Sequence, residues 1–173
     1  GGNPGTTSYY GSYFLKESEI NLDMALATGS LLETLGVDVI MTRTLDQDVS
    51  LALRASPANS SGAHLFVSIH NNSSVSGEYH GSMVLYSDSK SYSSLSLTAA
   101  KKIQNALVST LFTKDIGTQV RNDLYVLNQT TMPAVLVEVA FLDHPTDKNR
   151  LMTEEFRRDS AIAIVSGIMR FIH

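Results

Sequence analysis

VSIHNN, at residues Val67–Asn72, is the stretch that decides how this chain is interpreted. An apolar run from Ala63 to Ile69 leads to His70 and then opens into polar residues rich in Asn and Ser. Continuous apolar runs are typical of buried parallel strands, and open α/β sheets bind ligands at the carboxyl ends of such strands. The pattern predicts a buried strand that presents His70 at its exposed end, either as a metal ligand or as an ordinary surface histidine.

Two carboxylates occupy comparable places in the sequence. Glu17 begins a segment with helical periodicity, and Glu138 closes an apolar run that starts at Pro133 and resumes as far as Leu142. The position of Glu17 is also explained by the preference of negative charge for a helix amino terminus. Glu138 is harder to explain structurally, because a carboxylate inside an apolar run is seldom found without a partner. Together with His70 these carboxylates form a ligand set that suits zinc.

Composition limits the classes of function. A chain of 173 residues with 43% apolar and 17% charged residues is typical of one globular domain. The net charge of −4 provides no basic field, so neither nucleic acid nor a membrane is expected as a partner. Cysteine is absent, so any zinc site must use histidine and carboxylate ligands.

The hydrophobic pattern predicts a single α/β domain with a mostly parallel twisted sheet and helices on both faces. Residues 1–15 are rich in Gly, Ser, Thr and Tyr and are predicted to form a loop. Thr153 is expected to cap the last helix. Predicted helices cover residues 17–35, 50–59, 95–111 and 153–171, and predicted strands cover residues 37–41, 63–69, 81–86 (near a sheet edge), 124–127 and 134–138.

Five blocks in order along the chain resemble the zinc-dependent N-acetylmuramoyl-L-alanine amidases of the type-3 family, which cut bacterial peptidoglycan. Each block is modest alone, but the ordered set covers nearly the whole chain and is specific. The blocks are Gly1-Gly2-Asn3-Pro4-Gly5; Lys16-Glu17 with Asn21-Leu22; Thr42-Arg43 with Leu51, Arg54 and Ala58-Asn59; Ser68-Ile69-His70 with Asn72; and the run 133–142.

The resemblance implies that Glu17 and His70 are zinc ligands and that Glu138 is the catalytic carboxylate. It further implies hydrolysis, by zinc-activated water, of the amide between N-acetylmuramic acid and the L-alanine of the stem peptide. The polar residues Asn71 and Asn72 are interpreted as substrate contacts, although a solvated loop explains them equally well. The apolar run before Glu138 is expected to raise its pKa by desolvation.

The resemblance also implies where such a protein acts. We expect a secreted, monomeric autolysin whose partner is peptidoglycan and whose location is extracellular or in the cell wall of a bacterium. Two alternatives remain open at this stage. One is a non-catalytic wall-binding module on the same fold, and the other is a different zinc peptidase.

The sequence departs from the family pattern at three places. The family's first zinc ligand is a His just before the two glycines, so the domain at residues 1–173 is expected to lack its first strand and the His before Gly1. Ala140 stands where the family usually has Gly, and His144 stands near a position that is usually Asn. The histidines outside the motif are interpreted as loop or surface residues: His64, His80, His144 and His173.

Overall fold

The structure, a computed structural model, describes residues 7–10 and 13–173. The block Gly1–Gly5 that contributes to the resemblance lies outside these residues. Strands β1 (Thr7–Tyr10) and β2 (Tyr13–Lys16) form an antiparallel hairpin that leads directly into helix α1 (Glu17–Thr34). The prediction of a loop over residues 1–15 is wrong for these two strands, whose Thr and Tyr residues favour β-structure.

The rest of the chain alternates between helices and strands. The elements, in order, are α2 (Leu51–Ser61), β3 (Phe66–Asn72), β4 (Ser82–Tyr86), α3 (Ser93–Leu111), β5 (Asp115–Val120), α4 (Tyr125–Gln129), β6 (Ala134–Phe141), α5 (Pro145–Leu151) and α6 (Glu154–Ile172). As predicted, the Thr153 hydroxyl caps α6 by accepting from the Phe156 amide at 3.2 Å. Among the described residues, no helix is long and apolar enough to cross a membrane.

Strands β3 to β6 form one four-stranded sheet in the order β3-β6-β4-β5. The pairs β3–β6 and β4–β5 are parallel, whereas β4 and β6 are antiparallel. The prediction of an α/β domain is confirmed, and the sheet is mixed with two parallel pairings. Strand β4, expected near a sheet edge, lies one strand in from the edge, between β6 and the outermost described strand β5.

Strand β6 divides its side chains between two hydrophobic cores. Val135, Val137 and Val139 are fully buried and pack in a cluster with residues of α1, α3 and α6. The alternate residues Ala134 and Leu136 pack in a second cluster that includes residues of α4. Since side chains alternate along a strand, Glu138 follows Leu136 on the second face and interrupts an otherwise apolar series.

Two predicted strands are absent from the structure. Residues 37–41 are apolar and β-branched but form no strand; they line a surface cavity of about 1120 Å³ together with residues of α1 and β3. The apolar run at residues 124–127 forms most of α4 instead, since a run this short has no periodicity that separates helix from strand. Elements β5 and α5 were not predicted; β5 is polar and largely exposed, and α5 has only seven residues.

A glycine in α6 sets the closest approach of this helix to α3. A Cβ added at Gly167 would lie 2.4 Å from the Ile103 Cα and 2.9 Å from its backbone nitrogen. Backbone atoms cannot move away cheaply, so Gly167→Ala should destabilise the fold by about 1–3 kcal/mol despite the higher helix propensity of Ala. We expect a lower melting temperature in calorimetry, with Ser166→Ala as the neighbouring control; equal values for Gly167→Ala and wild type would contradict this packing.

Candidate active site

Strand pairing places a histidine opposite a glutamate at the carboxyl ends of β3 and β6. His70 is the register partner of Glu138, and the β3–β6 pairing becomes irregular between His70 and Asn72. Strand β3 continues two residues beyond His70, further than the sequence pattern predicted. An irregularity of this kind redirects side chains at a strand end, and such features are frequent beside active sites.

The start of α1 brings a second carboxylate to the same place. Glu17 is the first residue of α1 and is only 6% exposed. Its Oε1 lies 2.9 Å from Nδ1 of His70, although the two residues are 53 positions apart in sequence. The structure therefore brings together the two residues that the resemblance implies as zinc ligands.

A buried amide network holds the Glu17 carboxylate. The Asn21 side-chain amide donates to Glu17 Oε1 at 2.9 Å, and the Asn71 side-chain amide donates to Asn21 Oδ1 at 2.8 Å. The Asn71 backbone N–H also approaches Glu17 Oε1, at 3.4 Å. Both asparagines are buried. The network fixes the orientation of the carboxylate, as the groups behind a metal ligand commonly do.

The two predicted substrate contacts differ in their surroundings. Asn71 points into the protein and is 3% exposed, so its side chain is placed to orient Glu17 through Asn21. Asn72 is partly buried; its side-chain oxygen accepts from the Ser73 backbone N–H at 2.8 Å, and its amide lies 3.9 Å from Met83 Sδ. Of the two, Asn72 stands closer to the solvent-exposed loop that follows β3.

The electrostatic environment keeps His70 in the form that binds metals. Burial lowers the pKa of His70, and this effect outweighs the hydrogen bond to Glu17, which raises the pKa. The imidazole is therefore neutral at neutral pH, as a metal ligand must be. A carboxylate oxygen and an imidazole nitrogen at 2.9 Å from each other can converge on one cation. These residues fit a zinc ion, which favours imidazole and carboxylate where thiolates are absent.

Glu138 has the properties of a proton-transfer group. Its Oε2 is buried and has no hydrogen-bond partner among the described residues. Desolvation, and then the charge of Glu17, raise the pKa of Glu138 to about 8, whereas the charge of Arg121 lowers it. The direction agrees with the desolvation expected from the surrounding apolar run. A carboxyl group with a pKa near the working pH can both accept and release a proton.

Two residues of the site received no role from the sequence. Asn21 lies four positions after Glu17, a helical spacing that places both on one face and could have indicated the hydrogen bond between them. Arg121 follows β5 and forms a bidentate ion pair with Asp123, with both distances 2.7 Å. No local signal indicated that Arg121 acts on Glu138, because the β4–β5 pairing that places it there was not predicted.

The site combines a neutral histidine, a buried carboxylate and a second, protonated carboxyl group. This combination is typical of metal-dependent hydrolases. The comparisons with known proteins identify the family. The sequence profile of the N-acetylmuramoyl-L-alanine amidase family matches residues 1–170, and the chain belongs to this family. The predicted enzymatic function, N-acetylmuramoyl-L-alanine amidase, is thereby confirmed, and a non-catalytic module or another zinc peptidase is not favoured.

Individual relatives agree with this assignment. The chain is 34% identical over 157 residues to the N-acetylmuramoyl-L-alanine amidase LytC of Bacillus subtilis, covering 91% of this chain and 31% of that protein. It is 36% identical over 154 residues to an uncharacterised protein, YqiI, of the same organism, covering 89% of this chain and 73% of that protein. The crystal structure of an N-acetylmuramoyl-L-alanine amidase from Clostridium difficile 630 superimposes with a TM-score of 0.90 at 29% identity, covering 99% of this chain and 91% of that one.

The raised pKa of Glu138 gives the metal-free protein a characteristic pH dependence. The folded protein holds a proton on Glu138 up to about pH 8, whereas the unfolded chain releases it near the ordinary value of 4.5. The folded state therefore binds more protons between these values, and the free energy of unfolding should fall as pH rises through this window. Glu138→Gln removes this titration, so in EDTA the variant should gain stability relative to wild type from pH 5 to pH 8.

Urea unfolding at several pH values measures this difference. The exposed Glu78, replaced by Gln, serves as the control and should follow the wild-type curve. Parallel curves for wild type and Glu138→Gln over the whole range would show that Glu138 does not hold its proton in the folded protein.

Proposed function

We propose that this chain acts on peptidoglycan as a zinc-dependent amidase, with Glu17 and His70 as zinc ligands and Glu138 as the catalytic carboxylate. The bond cleaved is the amide between N-acetylmuramic acid and the L-alanine of the stem peptide. The observation that carries the proposal is the 2.9 Å contact between Glu17 and His70 beside a strand-paired Glu138. Family membership supplies the reaction class.

The chemistry that zinc supplies when it is bound is Lewis acidity, which activates water and polarises a carbonyl. Neutral His70 and buried Glu17 would hold the ion, and Asn21 with Asn71 would keep the Glu17 carboxylate oriented. Two described ligands leave the set one short of the three protein ligands usual in catalytic zinc sites.

Glu138 performs the proton transfers in the proposed reaction. As a carboxylate it takes a proton from water while the water oxygen forms a bond to the amide carbon, and as a carboxylic acid it gives that proton to the amide nitrogen. The C–N bond then breaks, leaving a carboxylic acid on the lactyl group and a free amine on L-alanine. The proton on the nitrogen is needed because without it the departing group would be a strongly basic amine anion, which is a poor leaving group. A nearby cation lowers the pKa of Glu138 from the value set by burial, which brings it towards neutral pH.

The substrate is proposed to bind at the carboxyl ends of β3 and β6. Ligands of α/β proteins bind at this edge of the sheet. Asn72 and the polar loop after it are proposed to contact the glycan or the stem peptide, whereas buried Asn71, which the sequence analysis also interpreted as a contact, is proposed to orient Glu17 through Asn21. Because the proposed substrate is a wall polymer, we place the enzyme outside the bacterial cell or in the cell wall, as a secreted monomeric autolysin.

We propose that a histidine encoded immediately before Gly1 supplies the third zinc ligand. The ligand count at Glu17 and His70 and the family resemblance of Gly1-Gly2 support this assignment. Sequencing the gene upstream of the Gly1 codon tests this prediction, and any residue other than His there would require a different third ligand.

The exchange Glu138→Gln, made in a chain that carries the upstream His, tests the catalytic role. It keeps the size of the side chain and removes its ability to accept a proton. We expect zinc content to be unchanged and release of L-alanine-led peptides from cell walls to fall by at least about 100-fold. The exposed Glu154→Gln serves as the matched control and should keep wild-type release.

Three measurements on the Glu138→Gln variant separate the possible roles. They are zinc per chain, melting temperature and peptide release. A loss of zinc would make Glu138 a ligand, and a change confined to the melting temperature would make it a structural carboxyl group. Normal release by the folded, zinc-loaded variant would end the proposed mechanism.

A further inference from the structure

Three side chains capable of binding a metal converge outside the proposed active site. His80, His144 and Asp147 each offer one ligand atom, and these atoms lie within 4.8 Å of one another. Both histidines are partly buried, and Asp147 is 3% exposed. The cluster was not predicted from the sequence, because His80 and His144 lie far apart in the chain and were each interpreted as a loop or surface residue.

The antiparallel pairing of β4 with β6 creates the cluster. His80 lies just before β4, and the other two residues lie just after β6, so the start of one strand meets the end of the other. The Asp147 Oδ2 accepts from the backbone N–H of Gly81 at 2.8 Å and from that of Phe141 at 3.0 Å. One carboxylate thus ties both chain segments together, and both hydrogen bonds described for it go to the same oxygen.

The position of His80 is fixed by the residue that follows it. Gly81 has φ of +110°, and a Cβ there would lie 2.2 Å from the backbone oxygen of Lys114. Only glycine fits this combination of conformation and contact. The backbone therefore presents His80 towards His144 in a defined direction.

The two imidazole rings of the cluster lie close together. The rings of His80 and His144 stack with centroids 4.5 Å apart and planes inclined by 21°. The Nδ1 atom of His144 is buried and has no hydrogen-bond partner among the described residues. A buried nitrogen without a partner is unfavourable in a folded protein and calls for an explanation, such as an ion that binds it.

We propose that His80, His144 and Asp147 form a second binding site for a divalent transition-metal ion, with Zn²⁺ as the best-matched ion. Two imidazoles and one carboxylate are a common zinc ligand set. Zinc bonds of about 2.0–2.2 Å place tetrahedral ligand atoms roughly 3.3 Å apart. The ligand atoms of this cluster lie within 4.8 Å of one another, so each distance between them must shorten by at most about 1.5 Å when zinc binds. Side-chain rotation of the two partly buried histidines supplies this movement.

The second site is separate from the proposed catalytic one. Phe141, which Asp147 contacts, lies three residues beyond Glu138 on β6, or about 10 Å along the strand. None of the three ligands belongs to the Glu17–His70 pair. A metal bound here would join the turn between β6 and α5 to the start of β4, so its role is to hold together the strand ends that lie beside the active site.

Zinc binding to paired variants of the full chain tests the proposal. Metal-free wild type, Glu17→Ala/His70→Ala, His80→Ala/His144→Ala and the exposed-histidine control His64→Ala are titrated with Zn²⁺ by calorimetry, and zinc per chain is measured after gel filtration. We expect Glu17→Ala/His70→Ala to retain one zinc per chain. We expect His80→Ala/His144→Ala to bind one zinc fewer than wild type and His64→Ala.

A second measurement does not depend on how the His80→Ala/His144→Ala variant folds. In the folded Glu17→Ala/His70→Ala protein, zinc should shift the nitrogen NMR signals of the His80 and His144 imidazole rings and leave those of His64 unchanged. Zinc at a hundredfold excess over Kd should also raise the melting temperature by about 5–10 °C.

Two results would overturn the second site. One is a Glu17→Ala/His70→Ala protein that binds no zinc and shows no change at the His80 and His144 nitrogens. The other is a folded His80→Ala/His144→Ala protein with the same zinc content as wild type. Neither result bears on the amidase mechanism, whose failure would appear in peptide release by the Glu138→Gln variant.

Discussion

The parallel pairing of β3 with β6 is the constraint on which the rest of the site depends. Its register sets His70 opposite Glu138 at one edge of the sheet. Helix α1 then needs only to begin beside this edge for Glu17 to reach His70. The fold thereby places two carboxyl groups and an imidazole in a partly desolvated region, where charge is costly and each group must find a proton, a partner or a cation.

Glu17 and Glu138 offset the free-energy cost of burying a charge in different ways. Glu17 is held by hydrogen bonds from an asparagine network and lies against a neutral histidine. Glu138 has a buried oxygen without a partner and retains a proton, with a pKa raised to about 8. Two carboxyl groups close together that differ in this way are suited to different tasks, one to hold a cation and the other to move a proton.

The sequence predicted the parts of the fold that depend on local pattern. The apolar runs before His70 and Glu138 form buried strands, and helices α1, α3 and α6 follow their periodicity. Pairing order cannot be read from such runs, so the order of the four strands in the sheet was not predicted. Strand β5 is polar, largely exposed and interrupted by Gly117 at φ of +85°, which hides its pattern. The burial of Asn71 depends on α1, which is distant in sequence, so it was not predicted, and Asn71 was interpreted as a substrate contact.

The separation of the paired strands also determines how much of the chain must be present before the site can form. Between β3 and β6 the chain forms β4, α3, β5 and α4, so the first residue of β3 pairs with Ala134 only after a long loop closes. Loop closure of this length is slow relative to helix formation. The β4–β5 pairing joins segments that are closer in sequence, whereas His70 and Glu138 meet only when β3 pairs with β6. A chain that ends before β6 therefore lacks the pairing that sets His70 opposite Glu138, however well its helices form.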